Sequence, residues 1–291
     1  MIDRRGHLRA ELDMTRLVWL TDIHLNFLPP PARARFGEEV GAAARDAAGV
    51  VITGDIAEAD SVEALLVELA GAVAGPIWFV LGNHDFYGST IATVRERMRD
   101  LTDRHPTLAW LPARGVVRLG DDVALVGHDG WGDARLGDFA GSRVALSDFF
   151  LIDELIGRHG ADLAARLGAL GDEAGAYLSA ATAEALAWAR RLVVAIHVPP
   201  FRESCWHEGH ISDDDWLPFF TCAAAGESLR DAMAARPDAS MTVLCGHTHG
   251  GGEATILSNL RVLTGAADYG APVVRVVDVS GRAGARLLDA R

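Results

Sequence analysis

The sequence predicts an α/β protein, and two observations carry that prediction. Short apolar runs rich in β-branched residues recur along the chain, each ending in Gly, Asp, His or Pro where a buried strand would meet its loop. Between the early runs lie Ala-rich segments with helical spacing, the alternation expected of βαβ units and of a sheet covered by helices.

In chain order, a strand is expected over Arg16 to Thr21, a helix over Glu38 to Ala48 and a second strand over Val50 to Thr53. Ser61 to Ala74 reads as the next helix. Asp60 or Ser61 would cap it, since a short polar side chain can accept from the first free N–H groups, and Gly75-Pro76 would stop it. Strands follow over Ile77 to Leu81, Val123 to Val126, Leu192 to Ile196, Met241 to Leu244, Arg261 to Leu263 and Val273 to Val279. The stretch 133–191 breaks this rhythm, being helical in composition with no comparable strand-like run. It is expected to be a helical insertion whose portions 148–159 and 176–191 lie against the sheet or cover the site. Residues 199–222, with aromatic, Asp and His residues and three Pro, read as a rim loop of the active site, because long irregular segments are usually functional or disordered. No internal repeat or low-complexity linker divides the 291 residues, so one domain over 1–291 is expected.

Composition narrows the chemistry. The 27 basic residues are all Arg, and the absence of Lys excludes Schiff-base, amine-nucleophile and P-loop enzymes. With 40 acidic residues the net charge is -13, which disfavours a nucleic-acid polymer as partner, because duplex binding depends on many cationic phosphate contacts. No apolar run approaches the ~18–20 residues of a membrane span. Met1 to Asp13 is charged and lacks the apolar centre of a signal peptide, so a cytoplasmic protein with no membrane partner is expected. Cys205, Cys222 and Cys245 are odd in number and unpaired in spacing, as buried thiols would be. The oligomeric state is left open.

Eleven His are present, and their placement is informative. Asp22 and His24 follow the first run, Asp55 the second, and Asn83, His84 and Asp85 the third; His197 follows a later one, and His247 and His249 close another. Groups at the carboxyl ends of strands in an open α/β sheet converge on one crevice. Residues two apart in extended backbone point to one side, so Asp22 with His24, and His247 with His249, can each chelate. Imidazole and carboxylate together suit Zn, Mn or Fe. Gly54, Gly82 and Gly246 sit where sharp turns need permissive backbone. Singly, each motif has an ordinary explanation as a turn or a packed histidine. It is their joint occurrence, in this order and after strands, that points to metal.

With Asp22-Ile23-His24, Gly54-Asp55, Gly82-Asn83-His84-Asp85, His197 and Gly246-His247-Thr248-His249, the sequence resembles the calcineurin-like metallophosphoesterases. In that family the later His usually follows Gly, whereas Ala195-Ile196 precede His197 here. The resemblance implies a four-layer α/β/β/α sandwich with two metal ions. Asp22, His24 and His249 would hold one ion, Asn83, His197 and His247 the other, and Asp55 would bridge them. It further implies hydrolysis of a small phosphomonoester or phosphodiester by a hydroxide bridging ions roughly 3.5–4 Å apart. His84 would then stabilise developing charge and protonate the leaving oxygen, with Asp85 holding its tautomer. His207, His210 and His128 are candidates for the substrate rim.

Other binuclear hydrolases expect patterns that are missing here: an early His-x-His, often with a modified Lys, or His-x-His-x-Asp-His. The run Gly54 to Ser61 lacks the Arg-containing signature of protein Ser/Thr phosphatases, and no basic DNA-binding surface of an exonuclease is visible. A non-catalytic metal-binding interaction protein on the same fold is the alternative from another class.

Overall fold

Period-two alternation builds the layers. The computed structural model describes residues 16–281 and 284–288; the charged stretch Met1 to Asp13 and the extreme ends of the expected 1–291 domain lie outside them. The first strands are β1 (Arg16–Leu20), β2 (Val50–Thr53), β3 (Ile77–Val80), β4 (Leu108–Trp110), β5 (Val117–Arg118), β6 (Val123–His128) and β7 (Arg191–Ile196). They continue with β8 (Trp206–His207), β9 (His210–Ile211), β10 (Ser240–Cys245), β11 (Gly252–Leu257), β12 (Leu260–Thr264), β13 (Arg275–Asp278) and β14 (Arg286–Leu288). The helices are α1 (Pro30–Ala44), α2 (Val62–Ala72), α3 (Ile91–Arg104) and α4 (Leu111–Arg114), then α5 (Asp148–Leu151), α6 (Gly160–Leu186), α7 (Leu217–Phe220) and α8 (Ala223–Ala234).

Two six-stranded sheets form, ordered β14-β13-β1-β2-β3-β4 and β11-β12-β10-β7-β6-β5, while β8 and β9 make a separate hairpin. Each sheet is parallel in its middle and closed by antiparallel strands at one or both edges. Leu17 and Trp19 of β1 join Val193 and Ala195 of β7 in a core between the sheets. Val18 and Leu20, on the opposite face of β1, pack in the core shared with α1, α2 and α3. Leu192, Val194 and Ile196 face α6 and α8. Each central strand is therefore buried on both faces, which is why it reads as a continuous apolar run. The order of layers is helices, sheet, sheet, helices, as the resemblance implies.

Several elements differ from expectation. α1 starts at Pro30, eight residues before Glu38, because the first turn of a helix needs no N–H and accepts Pro30 and Pro31. Ser61 precedes α2 without capping it; its hydroxyl donates to the Glu58 carbonyl. The stretch 133–191 divides in two. α6 lies against β6 and α8 as part of the outer layer, whereas the irregular part before α5 runs across the site. Residues 199–222 hold the β8–β9 hairpin and α7. The three thiols are free and buried. No helix among the described residues is long and apolar enough to cross a membrane.

Candidate metal centre

Five loops bring the predicted residues together. Asp22 and His24 follow β1, Asp55 follows β2, Asn83 and His84 follow β3, His197 follows β7, and His247 and His249 follow β10. All leave the carboxyl ends of parallel strands, three in one sheet and two in the other, so the site straddles the end of the sandwich. Backbone bonds lace these loops: the Asp22 N–H donates to the Gly54 carbonyl, that of His24 to Asp55, and that of Gly246 to His197.

The side chains sort into two groups. In the first, Asp22, His24, Asp55 and His249 each offer one ligand atom, all within 4.8 Å of one another. In the second, Asn83 Oδ1 lies 3.1 Å from His197 Nε2 and 3.0 Å from His247 Nδ1, and those nitrogens are 3.2 Å apart. Asp55 touches both groups, with Oδ2 3.8 Å from His24 Nε2 and Oδ1 3.4 Å from His197 Nε2.

Proton positions show what the second group lacks. His197 Nδ1 is 2.8 Å from the Thr53 carbonyl and His247 Nε2 is 3.2 Å from that of Phe219. A carbonyl only accepts, so these nitrogens carry the protons and the opposite ring nitrogens present lone pairs. The amide of Asn83 is turned by Asp148, whose Oδ1 accepts from Asn83 Nδ2 at 2.8 Å and from the Tyr87 hydroxyl at 2.8 Å. That leaves Asn83 Oδ1 facing the two rings, so three lone pairs converge with no proton among them. Protonating a ring brings no relief, because burial lowers the pKa of both His197 and His247. A cation placed there removes the repulsion.

The first group shows the same need. Burial, with the His84 and His249 rings, drives His24 down to about 2, and its Nδ1 is buried without a partner. Burial also pushes the Asp22 and Asp55 carboxyls up, so both would gain from a nearby positive charge. Neutral imidazoles are the form that binds metal.

The backbone explains how the ligands reach these positions. Asp22, His24, Asp55, His247 and His249 have φ of 49°, 38°, 50°, 70° and 58°, the left-handed region that side-chain-bearing residues avoid. Held in strain of this kind, the loops do not follow the extended spacing. His247 and His249 do not chelate together; their rings serve different groups. Of Gly54, Gly82 and Gly246, only Gly54, at φ 87°, needs its conformational freedom. Gly82 and Gly246 are required for space, since a Cβ would press on the carboxylates of Asp55 and Asp22.

A sequence profile described as Calcineurin-like phosphoesterase matches residues 15–251. The chain belongs to the calcineurin-like phosphoesterase family. This family uses a dinuclear metal centre, and the chain has a cluster of Asp and His residues that could hold a metal ion. Phosphopantetheinyl hydrolase from Mycobacterium tuberculosis is similar in structure, with a TM-score of 0.64 at 17% identity, covering 90% of this chain and 92% of that one. A dimetal phosphatase from Danio rerio gives 0.56 at 12% identity, covering 91% and 93%. A putative 5'-nucleotidase from Staphylococcus aureus gives 0.50 at 14%, covering 94% of this chain and 53% of that one. At these identities the likeness is one of fold. No curated protein sequence matches.

In this calcineurin-like phosphoesterase the remaining predicted residues fall out unevenly. A cavity of about 290 Å³ opens over the centre, and His84 and His207 line it. The His84 Nε2 is 3.9 Å from Asp55 Oδ2, and burial lowers its pKa below the ordinary value. Asp85 does not steady the His84 ring. Its carboxylate accepts from the backbone N–H groups of Ile56, Ala57 and Gly82 at 3.0, 2.9 and 2.8 Å, so both oxygens brace two ligand loops instead. His128 is no rim residue: it is 3% exposed, its Nδ1 accepts from the Gly130 N–H, and its ring lies against Tyr177. His210 points out of the hairpin and bonds the Glu208 carbonyl, away from the cavity lining. Asp148, Tyr87 and Tyr269 line the cavity without having been foreseen. Asp148 opens the short α5 far beyond β6 and Tyr269 sits in the irregular run after β12, neither directly behind a strand end, and Tyr87 lies four residues beyond Asn83 with nothing in the motif to single it out.

Proposed function

We propose that this chain is a metal-dependent hydrolase of small phosphate esters, monoester or diester. The observation that supports this best is the meeting of the Asn83, His197 and His247 lone pairs beside Asp55, under a cavity with His84 in its wall. In this reading Asp22, His24 and His249 hold one ion, Asn83, His197 and His247 a second, and Asp55 touches both. Mn, Fe and Zn all suit the mixed nitrogen and oxygen donors. Bound there, two ions would polarise the ester phosphate and supply an activated water. The chain's own groups orient and exclude. Asp148 sets the Asn83 amide, Asp85 pins the loops, and the buried walls keep bulk water from the floor. His84 stands at the open side, where it would donate to the leaving oxygen. A cytoplasmic location belongs to the same reading, supported by the three free thiols.

The test is protein stripped of metal, reloaded with Mn, Fe or Zn, and assayed on 4-nitrophenyl phosphate, its bis-ester and a nucleotide panel. Metal-dependent hydrolysis of at least one class is expected, and His84→Ala should keep the metal while losing about a hundredfold in turnover. Bound metal without hydrolysis of any ester would favour the non-catalytic metal-binding alternative.

A further inference from the structure

A half-exposed aromatic ring, Tyr269, lines the cavity outside the ligand set, with the half-exposed Phe27 beside it. Tyr269 is 56% exposed and Phe27 50%, and their rings meet at 5.4 Å and a right angle. Tyr269 lies over the first ligand group, 4.6 Å from the ring of His24 and 4.9 Å from that of His249. Its loop is tied to the centre, because the Ala267 N–H donates to the His249 carbonyl. Other rings stand elsewhere in the cavity wall: those of His207 and Phe220 are 5.4 Å apart, and Phe220 is 5.1 Å from His247. Cations are missing from this wall. Among the described residues that line the cavity none is Arg, the chain has no Lys, and the wall adds the carboxyl of Asp148.

These two facts select a substrate. Aromatic side chains at a cavity mouth present large, rigid apolar faces to a flat ligand group. A phosphate beyond the one at the metal centre would meet no cation among the described residues that line the cavity, and burying an unpaired charge is costly. We propose that Tyr269, backed by Phe27, is the specificity-determining platform on which the planar organic part of the ester lies. The substrate is then a phosphate monoester whose organic part carries a planar aromatic ring, and polyphosphates are disfavoured. This rests on the phosphoesterase reading above.

The experiment compares metal-loaded wild type, Tyr269→Leu and Tyr269→Phe on adenosine monophosphate, phenyl phosphate, glycerol 3-phosphate and adenosine diphosphate. Wild type is expected to favour the two aromatic monoesters. In Tyr269→Leu their preference over glycerol 3-phosphate should fall about tenfold, mainly through KM, and Tyr269→Phe should restore it. A preference limited to the nucleotide identifies a nucleobase as the planar group; one shared with phenyl phosphate identifies an aryl group in general. A preference ratio unmoved by Tyr269→Leu overturns the proposal, as does a faster rate on the diphosphate than on the monophosphate. Calorimetric titration of adenosine and 4-nitrophenol gives a readout independent of turnover: weaker binding to Tyr269→Leu supports the platform, and equal binding overturns it. Should these alcohols bind through Tyr269 while no ester is hydrolysed, the phosphoesterase reading falls and the platform stands.

Discussion

Asp148 fixes the direction of a neighbouring amide, and that gives it a measurable role. An ionised carboxylate can only accept, so Asn83 must turn its NH2 group towards it and its oxygen towards His197 and His247. In Asp148→Asn the new side chain can donate, and Asn83 loses the reason for its orientation. Metal affinity at that group should drop about tenfold or more, read by competition with a chromophoric chelator; unchanged affinity would show that Asn83 is held by other contacts. His128 is a different kind of residue, buried and neutral, with burial pushing its pKa down to about 4 against an ordinary 6.5. Between those values the unfolded chain binds a proton that the folded chain refuses. Its contribution is therefore intact above pH 6.5 and is lost as pH falls towards 4, by up to about 3 kcal/mol. The difference between wild type and His128→Asn in urea unfolding at pH 7 and pH 5 isolates it, and parallel pH curves would refute it. The ligands were legible because Asp, Asn and His after apolar runs are unusual in combination. Asp148 and Tyr269 were not, because neither belongs to a motif, and a single-turn helix like α5 or the irregular run around Tyr269 is too short to show which way a side chain points.

The elements carry the site through one buried carboxylate. Asp129, just past β6, accepts from the Leu81 N–H and the Trp110 indole at 2.9 Å each, and from Arg95 Nε at 3.1 Å, while its own carbonyl takes the His197 N–H. Arg95 in turn reaches Glu173 on α6 at 2.8 Å. The end of β3, β4, α3, β6 and α6 are thus joined at a point adjoining two ligand loops. Asp129→Ala would leave an indole and an amide without their acceptor and the buried guanidinium with Glu173 alone, costing about 3–5 kcal/mol. Asp129→Asn, which keeps an acceptor, should cost less; equal losses in chemical denaturation would argue against this account. Strands buried on both faces, such as β2 and β7, were legible as unbroken apolar runs. β4 has three residues and β5 two, too short to show a period, and β11 alternates only weakly at an edge. α3 was legible and was passed over: Thr90 caps it, and Ile91, Val94, Met98 and Leu101 form a buried stripe at helical spacing opposite an Arg-rich face.

For the whole molecule, the centre is also a joint, since its donors come from both sheets. Ions bound to the folded state alone should stabilise it by about 4 kcal/mol at a thousandfold excess over Kd, and a chelator should lower Tm by about 10 °C. Readdition of Mn or Zn should restore it, and a Tm indifferent to chelation would mean that the sheets hold together without help. The left-handed backbone of Asp22, His24, Asp55, His247 and His249 adds a second consequence. Glycine would occupy each of those conformations at lower energy, by about 1 kcal/mol apiece. A library sorted on melting temperature in chelator would therefore enrich clones that had discarded the donors, and robustness and activity would be under opposite selection at the same five codons.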